Sequence, residues 1–179
     1  LPSGELEANT TLDLVADIEY VREALGIPGW IVFGGSWGSL LALAYAQIYP
    51  ERLQGLVLHG IFLGSNEEIA AYVHGLSSLL PQLEQGDPLA AFKRRILGSD
   101  AETAAHTARL WLDYQRKLIG KAPLAAPPDA MQLARARIQM HYLSRDCFLM
   151  PGQLLAGIGR LHHLPAVIVQ GMADPACPP

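Results

Sequence analysis

Trp30-Ile31-Val32-Phe33-Gly34-Gly35-Ser36-Trp37-Gly38-Ser39-Leu40-Leu41-Ala42-Leu43-Ala44-Tyr45 decides how the rest of the chain is read. Its short apolar, β-branched run predicts a buried strand, and its Leu/Ala-rich run predicts a helix. Between them stand two glycines, a serine, a Trp and a glycine, so the order is strand, sharp turn, helix. Gly34-Gly35-Ser36-Trp37-Gly38 fits G-x-S-x-G, in which glycines lack the Cβ that would clash where the backbone folds back around a strained serine. Such a turn projects Ser36 Oγ out of the sheet and turns the backbone N–H of Trp37 toward a developing oxyanion. A dinucleotide-binding turn needs glycine where Ser36 stands. A P-loop needs a Gly-Lys-Ser/Thr ending that Gly38-Ser39-Leu40 does not supply.

Working outward, 179 residues, half of them hydrophobic, suffice for one globular domain with a sizeable core. A net charge of -4 with scattered basic residues argues against a nucleic-acid partner. Lys93-Arg94-Arg95, the one basic cluster, reads as a solvated helix face. Cys147 and Cys177 have no metal-ligand spacing, so no metal is expected, and two free thiols suit a cytoplasmic protein. No apolar run approaches the roughly 20 residues that span a bilayer, so no membrane partner is expected either. The oligomeric state is not encoded in any of these features.

Upstream of the turn, Asn9-Thr10-Thr11 offers N-caps for a helix with Leu12, Val15, Ile18, Val21 and Leu25 at helical spacing, ended by Gly26. Downstream, the helix from Trp37 stops before Pro50, and Leu53 to His59 predicts a second buried strand. This is a right-handed βαβ unit in a parallel sheet. From Ser65 to Leu164 helix signals take over. Ser99-Asp100-Ala101-Glu102 reads as a capping box opening a helix through Ile119, with Leu110, Trp111, Tyr114 and Leu118 as its apolar stripe. Asp129 begins another helix to Leu143, and Pro151 fits the first residue of a short one. About a hundred helical residues are too long for a connection and read as a cap over the sheet's C-terminal edge. Pro165 to Gly171 predicts a third buried strand, followed by Met172-Ala173-Asp174. The expected organisation is therefore 1–64 core, 65–164 helical cap and 165–179 return to the core. Three strands are too few to bury both faces of a doubly wound sheet, and the ends at Leu1 and Pro179 favour a part of a longer protein over completion by a second chain.

In α/β-hydrolases the triad runs Ser, then Asp or Glu, then His, with the acid just after a later strand. Asp174 stands where that order requires an acid. All six histidines (His59, His74, His106, His141, His162 and His163) precede it, so no base lies where the template puts it. His59 and His162-His163 read as structural or solvent-facing. A serine without a base keeps its proton, so these residues alone are expected to be inactive.

Gly34-Gly35-Ser36-Trp37-Gly38-Ser39, continuing through Leu41 to Gln47 and Tyr49-Pro50-Glu51-Arg52, closely resembles the nucleophile region of proline iminopeptidases (prolyl aminopeptidases). The resemblance extends to Asn9-Thr10-Thr11 with Asp13 to Glu19, to Leu58-His59-Gly60-Ile61-Phe62, to Ala136-Arg137-Ile138-Gln139-Met140-His141-Tyr142, and to Pro165 through Asp174. It implies a partial α/β-hydrolase fold, three parallel strands with a helical cap. Ser36 would be the nucleophile, Asp174 the acid that orients histidine, and Trp37 N–H one oxyanion donor. It further implies release of an N-terminal residue, typically proline, from a small peptide through an acyl-enzyme, with no cofactor. The family's N-terminal strands, with their His-Gly-Gly-Pro-type loop, and its catalytic histidine have no counterpart in these residues.

One departure bears on substrate. In the family two cap glutamates hold the substrate ammonium, and the matching positions here are Gln115, four residues after Trp111, and Gln139. Loss of two negative charges weakens ammonium selectivity, because a hydrogen bond to a charged group contributes roughly 1.5 to 3 kcal/mol against about 1 for a neutral one. Two rivals follow: an esterase or amidase acting on uncharged substrates, and a non-catalytic relative that keeps the pocket.

Overall fold

The computed structural model describes residues 5–79 and 86–179. Its first element, α1 (Thr11–Ala24), starts where Thr10 and Asp13 cap each other: Thr10 Oγ1 accepts from the Asp13 N–H at 3.3 Å and Asp13 Oδ2 accepts from the Thr10 N–H at 2.9 Å. Strand β1 (Trp30–Ser36) runs directly into α2 (Trp37–Ile48), and a short 3₁₀ turn at Pro50–Arg52 leads to β2 (Leu53–Ile61). After a helical stretch the chain returns as β3 (Ala166–Val169). All three strands are parallel and ordered β1-β2-β3, with Phe33 beside Val57 and Leu58 beside Ile168. The fold is α/β, a three-stranded parallel sheet with helices.

Two compact units divide the chain. The sheet unit comprises Ala8–Glu68 and Asp146–Pro179, and the helical unit is built on Ile69–Arg145. Whereas the sequence drew the helical segment from 65 to 164, residues 146–164 group with the sheet, and side-chain bonds explain why. Gln47 Nε2 on α2 donates to the Leu154 carbonyl at 2.7 Å, and Thr11 Oγ1 on α1 donates to the Cys147 carbonyl at 2.5 Å.

Between the strands lie α3 (Asn66–Val73), α4 (Pro88–Ile96), α5 (Ala101–Leu118), α6 (Ala130–Leu143) and the single-turn α7 (Gln153–Ala156). The start of α5 corrects the expected box: Asp100, not Ser99, is the N-cap, accepting from the N–H groups of Glu102 and Thr103. Those two N–H groups hold its carboxyl below the usual range. Its buried stripe is Ala104, Thr107, Ala108, Trp111 and Leu112, leaving Leu110, Tyr114 and Leu118 half-buried. Asp129 does cap α6, paired with Gln132. α7 begins after Gly152, so Pro151 stands before the helix rather than at its first position.

Two burial expectations are overturned. Only β2 is a core strand, burying Leu53, Leu56 and Leu58. In β1, Ile31 is 64% and Phe33 72% exposed, and β3 is exposed throughout. α2 packs on the β1 face that carries Gly34, where Ala42 meets it, and the exposed Ile31 and Phe33 alternate with that face along the strand. In α1 the buried line is Thr11, Val15, Glu19 and Arg22, while Leu12, Val21 and Leu25 are exposed. Charges can occupy a buried helix face only when they neutralise one another, and here they do. Arg22 donates to Glu19 at 2.6 and 2.9 Å and to the Ile27 carbonyl, while Tyr45 OH donates to Glu19 at 2.8 Å.

Candidate functional site

Gly34 is where the turn after β1 demands glycine. A Cβ there would lie 2.3 Å from the Gly38 carbonyl oxygen and 2.9 Å from Ala42 Cβ, so the strand and the first turn of α2 approach through the space a side chain would fill. Two residues on, Ser36 has φ 53° and ψ -126°, a conformation that costs a non-glycine residue on the order of 1–3 kcal/mol. The side chain is exposed. Trp37 opens α2, so its N–H belongs to the first turn, whose N–H groups find no acceptor inside the helix.

The acid loop ends beside this turn. Asp174 Oδ1 accepts from the N–H groups of Ala176 and Cys177 at 2.9 and 3.0 Å, and its own N–H donates to Gly171. The loop so formed brings the Cys177 thiol to 3.6 Å from Ser36 Oγ. Gln170 ties it to the central strand, accepting from the Ile61 N–H at 2.9 Å and donating to the Cys177 carbonyl. Burial pushes the Cys177 thiol up, the Asp174 charge adds to this, and the Ser36 hydroxyl opposes it. The structure thus gathers Ser36, Trp37 and the Asp174 loop at the C-terminal ends of β1 and β3. His59, on β2 between them, is exposed, as are His162 and His163.

Gln115 and Gln139 meet elsewhere, inside the helical unit. Trp111 Nε1 donates to Gln139 Oε1 at 2.7 Å, and Gln115 Nε2 donates to Tyr72 OH at 2.9 Å. Edge-to-face contact between Tyr72 and Trp111, with centroids 5.9 Å apart, joins the two amides into one cluster that Tyr114 extends. Gln115 Oε1 is buried and, among the described residues, has no hydrogen-bond partner.

Among the described residues no group of three or more His, Cys, Asp or Glu could hold a metal ion, and no helix is long and apolar enough to cross a membrane. Sequence reasoning missed Ser39, Gln170, Tyr72 and the placing of Cys177. Ser39 directly follows the Gly34–Gly38 turn, but nothing in its residue type separates a bridging hydroxyl from an ordinary helix serine. Gln170 and Tyr72 carried no signal at all.

This turn, its serine and the acid loop after a later parallel strand match a known fold. The chain belongs to the alpha/beta hydrolase fold family, whose model matches residues 2–179. It is 43% identical to the proline iminopeptidase of Neisseria gonorrhoeae, covering 99% of this chain and 62% of that protein. A probable proline iminopeptidase of Leptolyngbya boryana is 42% identical, with 99% and 61% covered. The chain therefore spans about three-fifths of the length of these relatives. Among solved structures, an alpha/beta hydrolase enzyme from a Medee basin deep-sea metagenome superposes with a TM-score of 0.58 at 15% identity, covering 97% of this chain and 58% of that one. An alpha/beta fold family hydrolase from Bacillus anthracis gives 0.55 at 17%, covering 97% and 61%. At such identities these two speak for the fold alone.

Proposed function

We propose that the protein is a serine hydrolase of the proline iminopeptidase type, in which Ser36 attacks a carbonyl carbon to form an acyl-enzyme. The carrying observation is Ser36 itself, a non-glycine residue held at positive φ between β1 and α2 with the Asp174 loop beside it. Strain of that kind is kept where a fold presents a nucleophile. Trp37 N–H would donate to the oxyanion, and Asp174 would hold the histidine that takes the Ser36 proton. No metal or organic cofactor enters this chemistry. The substrate is a small peptide or other small acyl compound, and a cytoplasmic setting fits its two free thiols.

The helical cluster favours uncharged substrates over free amines. Gln139 already accepts from Trp111, and Gln115 presents a buried neutral oxygen that no described residue donates to, so the pair can receive an N–H but supplies no opposing charge. Full-length gene product should therefore cleave N-acetylprolyl arylamide at least comparably with prolyl arylamide. Gln139→Glu should raise kcat/KM for the free amine about tenfold, since one charge-assisted contact is worth on the order of 1.4 kcal/mol. Paired kinetics on the two substrates provide the test, with Ser36→Ala expected to abolish both activities. A strong wild-type preference for the free amine, unmoved by Gln139→Glu, would place amine recognition outside this cluster.

A further inference from the structure

The β1–β2 ladder is irregular at the point where the serine turn begins. Gly35 pairs with His59 but Ser36 pairs with Ile61, so one residue, Gly60, is skipped, at a φ of 55°. A bulge interrupts the ladder and leaves backbone groups to be satisfied by other means. One side chain crosses this gap. Ser39 Oγ, on the first turn of α2, donates to the Ser36 carbonyl at 2.6 Å and accepts from the Phe62 N–H at 2.9 Å, with the Phe62 carbonyl at 3.3 Å. Ser39 is 0% exposed, so no water replaces either bond.

An ordinary helix serine bonds back to a carbonyl three or four residues earlier and does nothing more. Here that carbonyl belongs to Ser36, whose ψ sets where the next N–H, that of Trp37, points. The same hydroxyl also fixes the end of β2. We propose that Ser39 is a positioning residue that locks the strained Ser36 backbone to the end of β2, and so aims both the Ser36 hydroxyl and the Trp37 N–H. This rests on Ser36 being the nucleophile.

The test uses full-length gene product and a neutral alkyl fluorophosphonate. In that reaction Ser36 Oγ bonds to phosphorus, fluoride leaves and the hydroxyl proton passes to the base. Each variant is assayed well below its own unfolding transition. Ser39→Ala should slow both phosphonylation and kcat about tenfold to a hundredfold, as small misplacements of reacting groups do, with KM changed by less than roughly twofold. Ser39→Thr, which keeps the hydroxyl, should restore most of the rate. Ser39→Cys, similar in size but a weak donor, should fall between. A wild-type rate in Ser39→Ala overturns the proposal, as does rescue by Cys but not by Thr, because volume and not the hydroxyl would then be what matters. If Ser39→Ala does not fold, Ser39→Cys decides alone, and a wild-type rate there overturns it. Phosphonylation that survives Ser36→Ala overturns the nucleophile reading itself, and the role of Ser39 with it.

Discussion

In the sheet unit the decisive geometry belongs to the backbone, whereas in the helical unit it belongs to side chains that hold one another. Gly34 admits α2, Ser36 is held at positive φ, and the Asp174 carboxylate is pinned by two N–H groups of its own loop. In the helical unit a Trp indole holds Gln139 and a Tyr hydroxyl meets Gln115. Backbone geometry tolerates little change, because glycine has no substitute where a carbonyl oxygen lies 2.3 Å from the missing Cβ. Side-chain clusters can exchange one partner and still close.

If the contrast is right, Gly34→Ala should be the most damaging single methyl in the chain. Neither the Gly38 carbonyl nor the Ala42 Cβ can rotate away, so a loss of about 4 kcal/mol or more is expected, read as loss of soluble full-length protein or a collapsed urea midpoint. Near-native stability would show that the turn can open cheaply.

Next in size is Glu19→Gln. Glu19 and Arg22 are 7% and 6% exposed, and removing the Glu19 carboxylate leaves the buried guanidinium only the exposed Glu23 carboxylate, at 3.6 Å, as counter-charge. About 3 kcal/mol should be lost at pH 7 by denaturant unfolding. The pH dependence has a definite sign. The Arg22 hydrogen bond holds the Glu19 carboxyl below its ordinary 4.5, so its contribution is present above that value and disappears as the pH falls further. Burial, aided by Glu19, pushes the Tyr45 hydroxyl from 10.0 up to about 12, so the contribution of Tyr45 is lost as the pH rises between those values. The difference between wild type and Glu19→Gln should narrow at pH 4, and a constant difference would mean that the pair is not what stabilises α1.

The smallest effect is expected from Trp111→Phe, which leaves Gln139 Oε1 without its 2.7 Å donor at a cost of about 1–2 kcal/mol. Hydrogen exchange should rise in α5 and α6 and stay unchanged in α2 and β2. A uniform rise across both units would erase the distinction drawn between them.

The parts of the fold readable from sequence were those in which one local pattern had one physical solution. G-x-S-x-G after an apolar β-branched run allows only the strand, turn and helix that form, and the residues at Thr10 and Asp129 cap the helices that follow them. The α1 face was misread because periodicity counts apolar residues, while the buried line contains Glu19 and Arg22. Their spacing of three was visible, but burial of the pair depends on Tyr45, which is 26 residues away. Burial of β1 and β3 was equally non-local. An apolar run predicts that a strand can be covered, and covering depends on what packs against it. Ser39 and Gln170 lay beyond sequence reasoning for the same reason, since each acquires its role from a backbone group far along the chain.

The open strand faces also set how this chain behaves as a colloid. Ile31 and Phe33 on β1, with Val167, Ile168 and Val169 on β3, present apolar surface beside edges that no described strand pairs. Contact between such surfaces is driven by release of hydration water, so it strengthens on warming from the cold and in the presence of excluded salts such as sulfate, and weakens in urea. For these 179 residues, low-salt, cool conditions favour dispersal, and ammonium sulfate brings strand faces together well before it precipitates a molecule with a closed polar surface.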